Sequence, residues 1–149
     1  LKLTVALPTR DDEIGILSRH AGGFDPRDLA GAGLKPVASA ADLAAGRRAL
    51  ASVRVESSVL GYVADVARVT RTSPSVQLGV SPRGATALLA TSRAWAWLSG
   101  RDFVTPDDVK ALARPTLRHR IQLRPEAELE GVSPDSILET VLGTVPVPR

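Results

Sequence analysis

The chain has 149 residues, 44% of them hydrophobic and only 3% aromatic, which predicts one compact domain with a core of Leu, Val and Ala. The absence of cysteine excludes disulfides and thiolate metal sites and fits a reducing cytoplasm. No apolar run reaches the ~18 residues of a membrane helix, and no signal-peptide pattern is visible.

The net charge of +3 is unevenly distributed along the chain. Residues 81–124 carry 8 basic and 3 acidic side chains, whereas residues 125–149 carry 1 basic and 5 acidic ones. A basic middle section favours a phosphate-bearing partner, but a solvated arginine-rich surface explains it equally well. The chain contains no methionine and begins at Leu1, so we interpret it as a piece of a longer protein.

The first third of the chain predicts a strand and two helices. Residues 1–7 alternate apolar and polar side chains, which is typical of a strand with one buried face. Thr9 is a helix cap, and acidic residues follow in the first turn of a helix that continues to Ala21. The glycine-rich residues 22–36 form a connection. Ser39 and Asp42 then begin a helix to about Leu50, and residues 53–55 are a short extended segment.

Two further helices dominate the middle of the chain. Residues 57–70 have helical spacing of apolar side chains. In the next helix, Ser81 is the cap, Pro82 takes the first position and Gly100 ends it. Its predicted buried face contains Ala85, Leu88, Leu89, Ser92, Trp95 and Ala96, with Trp95 in the core and Trp97 on another face. Arg83, in the first turn, points to the opposite side.

A capping box, Thr105 with Asp108, begins the next helix, and Pro115 is expected to stop it. A basic run, Arg118-His119-Arg120, follows. The C-terminal part predicts a short strand at 121–123, an acidic turn at 125–131 and a last helix from Ser133 to about Leu142.

Motifs for independent catalysis are missing from the sequence. None of the three lysines lies in a Walker A loop, and the only Asp-Glu pair, Asp12-Glu13, lies in a charged helix start and not after an apolar strand, as a Walker B motif requires. There is no Gly-x-Ser-x-Gly elbow, and His20 and His119 have no metal-ligand or nucleophile spacing. The chain alone is therefore not expected to catalyse a reaction or to hold a metal.

The Ser81-Pro82-Arg83 motif and residues 100–109 resemble the C-terminal part of MoxR-type AAA+ ATPases, and the resemblance extends along almost the whole chain. It implies the last strand and helix of the ATPase core at 1–21, a connecting loop at 22–38 and a helical lid domain at 39–149. In the full-length protein it implies ATP and Mg²⁺, a homo-oligomeric ring, chaperone-like assembly of protein complexes in the cytoplasm, and a von Willebrand factor A-domain protein as partner. Mg-chelatase ATPase subunits are close relatives of this family, so a Mg-chelatase-type AAA+ lid is the alternative within the same class.

The resemblance makes Arg83 the sensor-2 residue, which contacts the bound nucleotide. Arg118 and Arg120 are weaker candidates for nucleotide binding, since an arginine run at a helix exit is commonly solvated. A different class, a small basic helical module that binds nucleic acid, also remains open. It is disfavoured because the basic residues are scattered and few aromatics are available for base stacking. A pure protein-interaction bundle is a third alternative.

Overall fold

A computed structural model describes residues 1–148, and α-helices dominate them. The described elements are α1 Arg10–Ala21, α2 Ala40–Ala51, α3 Ser57–Thr72, β1 Val76–Leu78, α4 Pro82–Leu98, α5 Pro106–Leu117, a 3₁₀ turn at Arg118–Arg120, β2 Gln122–Leu123, α6 Pro125–Leu129 and α7 Pro134–Thr144. The predicted fold class, mainly helical with a minor two-stranded element, is confirmed.

The chain divides into two compact units. The larger combines Leu1–Leu3 with the residues from Arg47 onward, and the smaller is Thr4–Gly46. In the smaller unit Thr9 caps α1 as predicted: its hydroxyl accepts the Asp12 N–H at 3.3 Å. No side chain of residues 4–46 is buried. The predicted boundaries after residues 21 and 38 stay a prediction.

The predicted N-terminal strand at residues 1–7 is not formed. The apolar side chains that would have lain on its buried face are exposed: Leu3 by 75%, Val5 by 90% and Leu7 by 91%. A strand needs a hydrogen-bonded neighbour, and none of the described residues pairs with this segment as a strand. Alternation alone therefore did not produce a strand here.

The core of the larger unit lies where α3, α4, α5 and α7 pack together. Leu88, Leu117 and Leu138, from three different helices, are fully buried. The helix predicted from the apolar spacing of residues 57–70 is confirmed, and its buried face consists of Val59, Tyr62, Val63, Val66, Ala67 and Thr70. β-Branched side chains lower helix propensity, so tertiary burial of this face stabilises α3.

The buried face of α4 is narrower than predicted. Its fully enclosed residues follow a four-residue repeat, Gly84, Leu88, Ser92 and Ala96. Trp95 was predicted to be in the core, and this is wrong: it lies at the edge of that face and is 47% exposed. Trp95 is offset from the row of enclosed residues, so part of its indole stays exposed. Trp97 is 42% exposed on another side of the helix.

The predicted stop of α5 at Pro115 is also wrong, because the helix continues through it to Leu117. Proline removes one N–H donor, whose acceptor would be the Ala111 carbonyl. That loss falls in the last turn, where Ala113, Thr116 and Leu117 are all buried. Burial of these three side chains therefore outweighs the local preference. The 3₁₀ turn of the basic run follows directly.

Two strands join distant parts of the larger unit. β1 pairs antiparallel with β2, with Val76 opposite Leu123. A second link is an isolated parallel bridge between Arg54 and Phe103. The predicted extended segments at 53–55 and 121–123 take part in these links. The predicted acidic turn contains the short helix α6.

Candidate functional site

Arg83 lies in the first turn of α4 and is exposed. Ser81 caps the helix: its Oγ accepts the Gly84 N–H at 3.3 Å, and Pro82 occupies the first helical position. These residues fix the backbone direction from which the Arg83 side chain leaves. Within residues 1–148, the Arg83 guanidinium has no ion-pair partner, so its donors are available to a ligand.

The start of α4 is anchored to the end of α3 through Val80. The Thr70 hydroxyl accepts the Val80 N–H at 2.9 Å, and the Val80 carbonyl accepts the Arg71 Nε–H at 2.6 Å. Val80 and Thr70 are fully buried. The backbone N–H and C=O of Val80 are therefore both hydrogen-bonded to side chains of α3, and Val80 lies only three residues before Arg83. A site built on such a braced helix end keeps its geometry.

Arg120 lies next to this helix start, beside Gly84. A Cβ at Gly84 would lie 2.6 Å from Val80 Cγ1 and 3.4 Å from Arg120 Cδ. The Arg120 stem therefore passes beside the residue that follows Arg83. Its Nε–H donates to the Thr116 carbonyl at 3.0 Å, which satisfies a free carbonyl at the end of α5. The structure thus brings Arg120 next to the first turn of α4.

We expect Gly84→Ala to destabilise the chain by about 1–3 kcal/mol, because buried Val80 leaves no space for the added methyl group. Urea unfolding measures this change. Gly61→Ala in α3 is the matched control: no atom lies within 4 Å of its added methyl, so it should stabilise by about 0.5–1 kcal/mol. Equal effects at both positions would contradict the close approach at Gly84.

Arg118 points to a different neighbour. Its NH2 group donates to Asp135 Oδ2 of α7 at 2.7 Å, with the arginine side chain 27% exposed. Arg118 therefore links the 3₁₀ turn to α7 and is not brought to Arg83. Between the two arginines, burial and the Arg120 charge lower the pKa of His119. At neutral pH the run thus carries its positive charge on the two arginines.

A second charged cluster lies at the other end of α4. Asp108 is 3% exposed and closes the capping box of α5, accepting the Thr105 N–H at 2.8 Å. The Arg101 guanidinium donates to both of its carboxylate oxygens. Burial raises the pKa of Asp108, but the hydrogen bonds from Arg101 and Thr105 outweigh burial and hold it below its ordinary value. The sequence identified the capping role of Asp108 and missed Arg101, because Arg101 lies in the turn before α5, where no helical spacing relates it to Asp108.

The three candidate arginines lie away from the groove between α3 and α7. This groove, of about 570 Å³, lies between α3 and the end of α7, and none of the three lines it. Within residues 1–148, no three His, Cys, Asp or Glu side chains are grouped as metal ligands. None of the helices described there is both long and apolar enough to cross a bilayer.

Comparison with known proteins identifies the class of this module. Residues 68–141, from α3 to α7, match the AAA lid domain family. The crystal structure of a proposed ATPase from Cytophaga hutchinsonii superposes on 97% of this chain with a TM-score of 0.78 and 26% identity, and the match covers 45% of that protein. Residues 68–141 are therefore identified as an AAA lid domain.

Its named relatives are MoxR proteins. The chain is 30% identical over 157 residues to the chaperone MoxR1 of Mycobacterium tuberculosis and 42% identical over 87 residues to MoxR of Paracoccus denitrificans. It is 37% identical over 147 residues to the uncharacterised protein YeaC of Bacillus subtilis. It spans 44% of YeaC and 40% of MoxR1, less than half of either. The predicted resemblance to the C-terminal part of MoxR-type ATPases is confirmed.

Proposed function

We propose that this chain is the lid of a MoxR-like AAA+ ATPase and that Arg83 is its sensor-2 arginine, which contacts the terminal phosphates of ATP. The observation that carries the proposal is an exposed arginine without an ion-pair partner in residues 1–148, on a helix start braced through Val80. A guanidinium offers a planar set of donors that matches phosphate oxygens. A fixed donor of this kind stabilises the charge that shifts during phosphoryl transfer.

Arg120 is the second candidate contact in this proposal, because its stem lies beside Gly84. Arg118 contributes indirectly, since its pairing with Asp135 holds the 3₁₀ turn against α7. The remaining phosphate contacts, including a Walker A loop, belong to a part of the ATPase outside this sequence. Mg²⁺ would accompany ATP at that part of the protein.

In the full-length ATPase, we propose that the lid moves as a rigid body. The packed core of α3, α4, α5 and α7 transmits a displacement at Arg83 to the rest of the module. Closure over ATP would then be coupled to rearrangement of an oligomeric ring. The name of MoxR1 as a chaperone supports assembly of protein complexes as the output. A cytoplasmic location and a von Willebrand factor A-domain partner complete the proposal.

We expect the chain alone to bind ATP only weakly, because one or two arginines supply too few donors without a phosphate loop. Isothermal titration with ATP and Mg²⁺ should show no micromolar binding. Micromolar binding by the 149-residue chain would overturn the assignment of the main phosphate contacts to another part of the protein.

The role of Arg83 itself is tested in the full-length ATPase, by comparing the turnover of Arg83→Ala with that of Arg124→Ala, which changes an exposed arginine at the start of α6.

A further inference from the structure

A shallow groove between α2 and α4 carries two arginines above an apolar floor. Its volume is about 360 Å³, and Leu50 and Leu89 contribute to the floor. Arg47 and Arg93 lie along it, and no acidic residue lines it. Within residues 1–148, neither arginine forms an ion pair. The Nε of Arg93 is moreover buried and has no hydrogen-bond partner among those residues.

An unpartnered buried donor is costly and is normally satisfied. The apolar floor beside it favours a ligand that supplies a carboxylate and an apolar side chain together. Free carboxylates alone would not use Leu50 and Leu89, and a phosphate-rich polymer would not use them either. The chemistry of the groove therefore fits an acidic peptide segment that contains a large aliphatic residue.

The same compact unit presents such a segment in α6 and the residue after it. Glu126, Glu128 and Glu130 are exposed, and none of them forms an ion pair within residues 1–148. Leu129 lies among them with 90% of its surface exposed. Ala127 is buried and attaches the segment to the core. Three negative charges around one leucine complement two positive charges around an apolar floor.

We propose that the groove lined by Arg47 and Arg93 binds the α6 segment, residues 125–130, of a second copy of this chain. Neither surface has an ion-pair partner among residues 1–148, and the two have opposite charge and matching apolar centres. Different surfaces of the two copies meet, so the contact is head-to-tail and one copy can bind a neighbour at each end. This inference rests on the oligomer of the proposed function, to which it assigns contact surfaces, and its test does not depend on Arg83.

Complementary variants test the proposal. Sedimentation velocity of the parent chain, up to about 1 mM, should show self-association that weakens with added salt. Arg93→Glu should abolish it from the groove side, and Leu129→Arg should abolish it from the α6 side. An equimolar mixture of the two variants still contains one native groove and one native α6 segment. It should form a one-to-one dimer and nothing larger.

Controls separate this result from misfolding and from other contacts. Circular dichroism checks each variant, and Arg47→Glu replaces Arg93→Glu if the half-buried position does not tolerate the change. Arg83→Ala should associate like the parent, which separates this test from that of the nucleotide site. A monomeric parent, a variant that still associates, or a mixture without dimer each overturns the proposal. Association that only a change at Trp95 abolishes would assign the contact to another face.

Discussion

Arg83→Ala in the full-length ATPase is expected to lower ATP turnover by roughly 10²–10³-fold, the typical loss for one preorganised donor. The same change in the 149-residue chain should alter the free energy of unfolding by no more than about 0.5 kcal/mol, because the side chain is exposed and lies outside the core. A steady-state ATPase assay and thermal unfolding measure the two effects. A large loss of turnover with almost no loss of stability is the result expected for an exposed arginine that acts in catalysis and not in folding.

The geometry of the guanidinium gives a second readout. Arg83→Lys keeps the charge and loses the planar fork, so it should restore little of the turnover. Arg124→Ala, at another exposed arginine, should leave turnover unchanged. A full-length Arg83→Ala enzyme with normal turnover and normal ATP affinity would end the sensor-2 assignment. Unfolding of the short chain by Arg83→Ala would make Arg83 a structural residue.

Asp108→Asn is expected to destabilise the chain by about 3 kcal/mol, since it leaves the Arg101 charge without its buried partner and weakens the cap of α5. The midpoint temperature of thermal unfolding should fall by on the order of 10 °C. Asp107→Asn is the matched control one residue away: its side chain is 89% exposed, so its change should stay within about 0.5 kcal/mol. Equal shifts for the two variants would show that the Arg101–Asp108 pair adds no net stability.

This effect should depend on pH in one direction. The pKa of Asp108 is lowered in the folded chain, so its contribution is fully present above the unfolded value, about 3.9. The contribution is lost as the pH falls through the folded pKa. The difference in unfolding free energy between the parent and Asp108→Asn should therefore be constant near neutral pH and shrink below about pH 4. A difference that shrinks on raising the pH would contradict this assignment.

Local rules predicted most helix starts because their determinants lie within four residues. The caps at Thr9, Ser39, Ser81, Thr105 and Ser133 each needed only a side-chain oxygen and a nearby backbone N–H, and all five were found. The cap at Ser81 and the proline at position 82 placed Arg83 in the first turn of α4, where the structure has it. The resemblance to MoxR proteins came from one short motif and one segment, and it supplied the sensor-2 role. The sensor-2 role of Arg83 stays a prediction.

The errors came from interactions that no local rule contains. Pro115 is a helix breaker by propensity, yet three buried neighbours keep its helix intact. Trp95 has the spacing of a core residue, but the enclosed residues of α4 form a single four-residue repeat, and Trp95 lies beside it with 47% of its surface exposed. β1 was not predicted, because three residues after a Ser-Pro turn have little pattern of their own and pair with a strand 47 residues further on (76 to 123).

The long sequence separation between β1 and β2 also predicts the order in which parts of the module fold. The α4–α5 hairpin lies entirely between β1 and β2, and its own contacts join residues close in sequence. Local contacts form early because little chain entropy is lost in closing short loops. The strand pair closes a far larger loop and is expected to form late, after the hairpin has brought its two ends together. Substitutions in β2 should consequently accelerate unfolding and leave the refolding rate almost unchanged, whereas those in the α4–α5 contact should slow refolding.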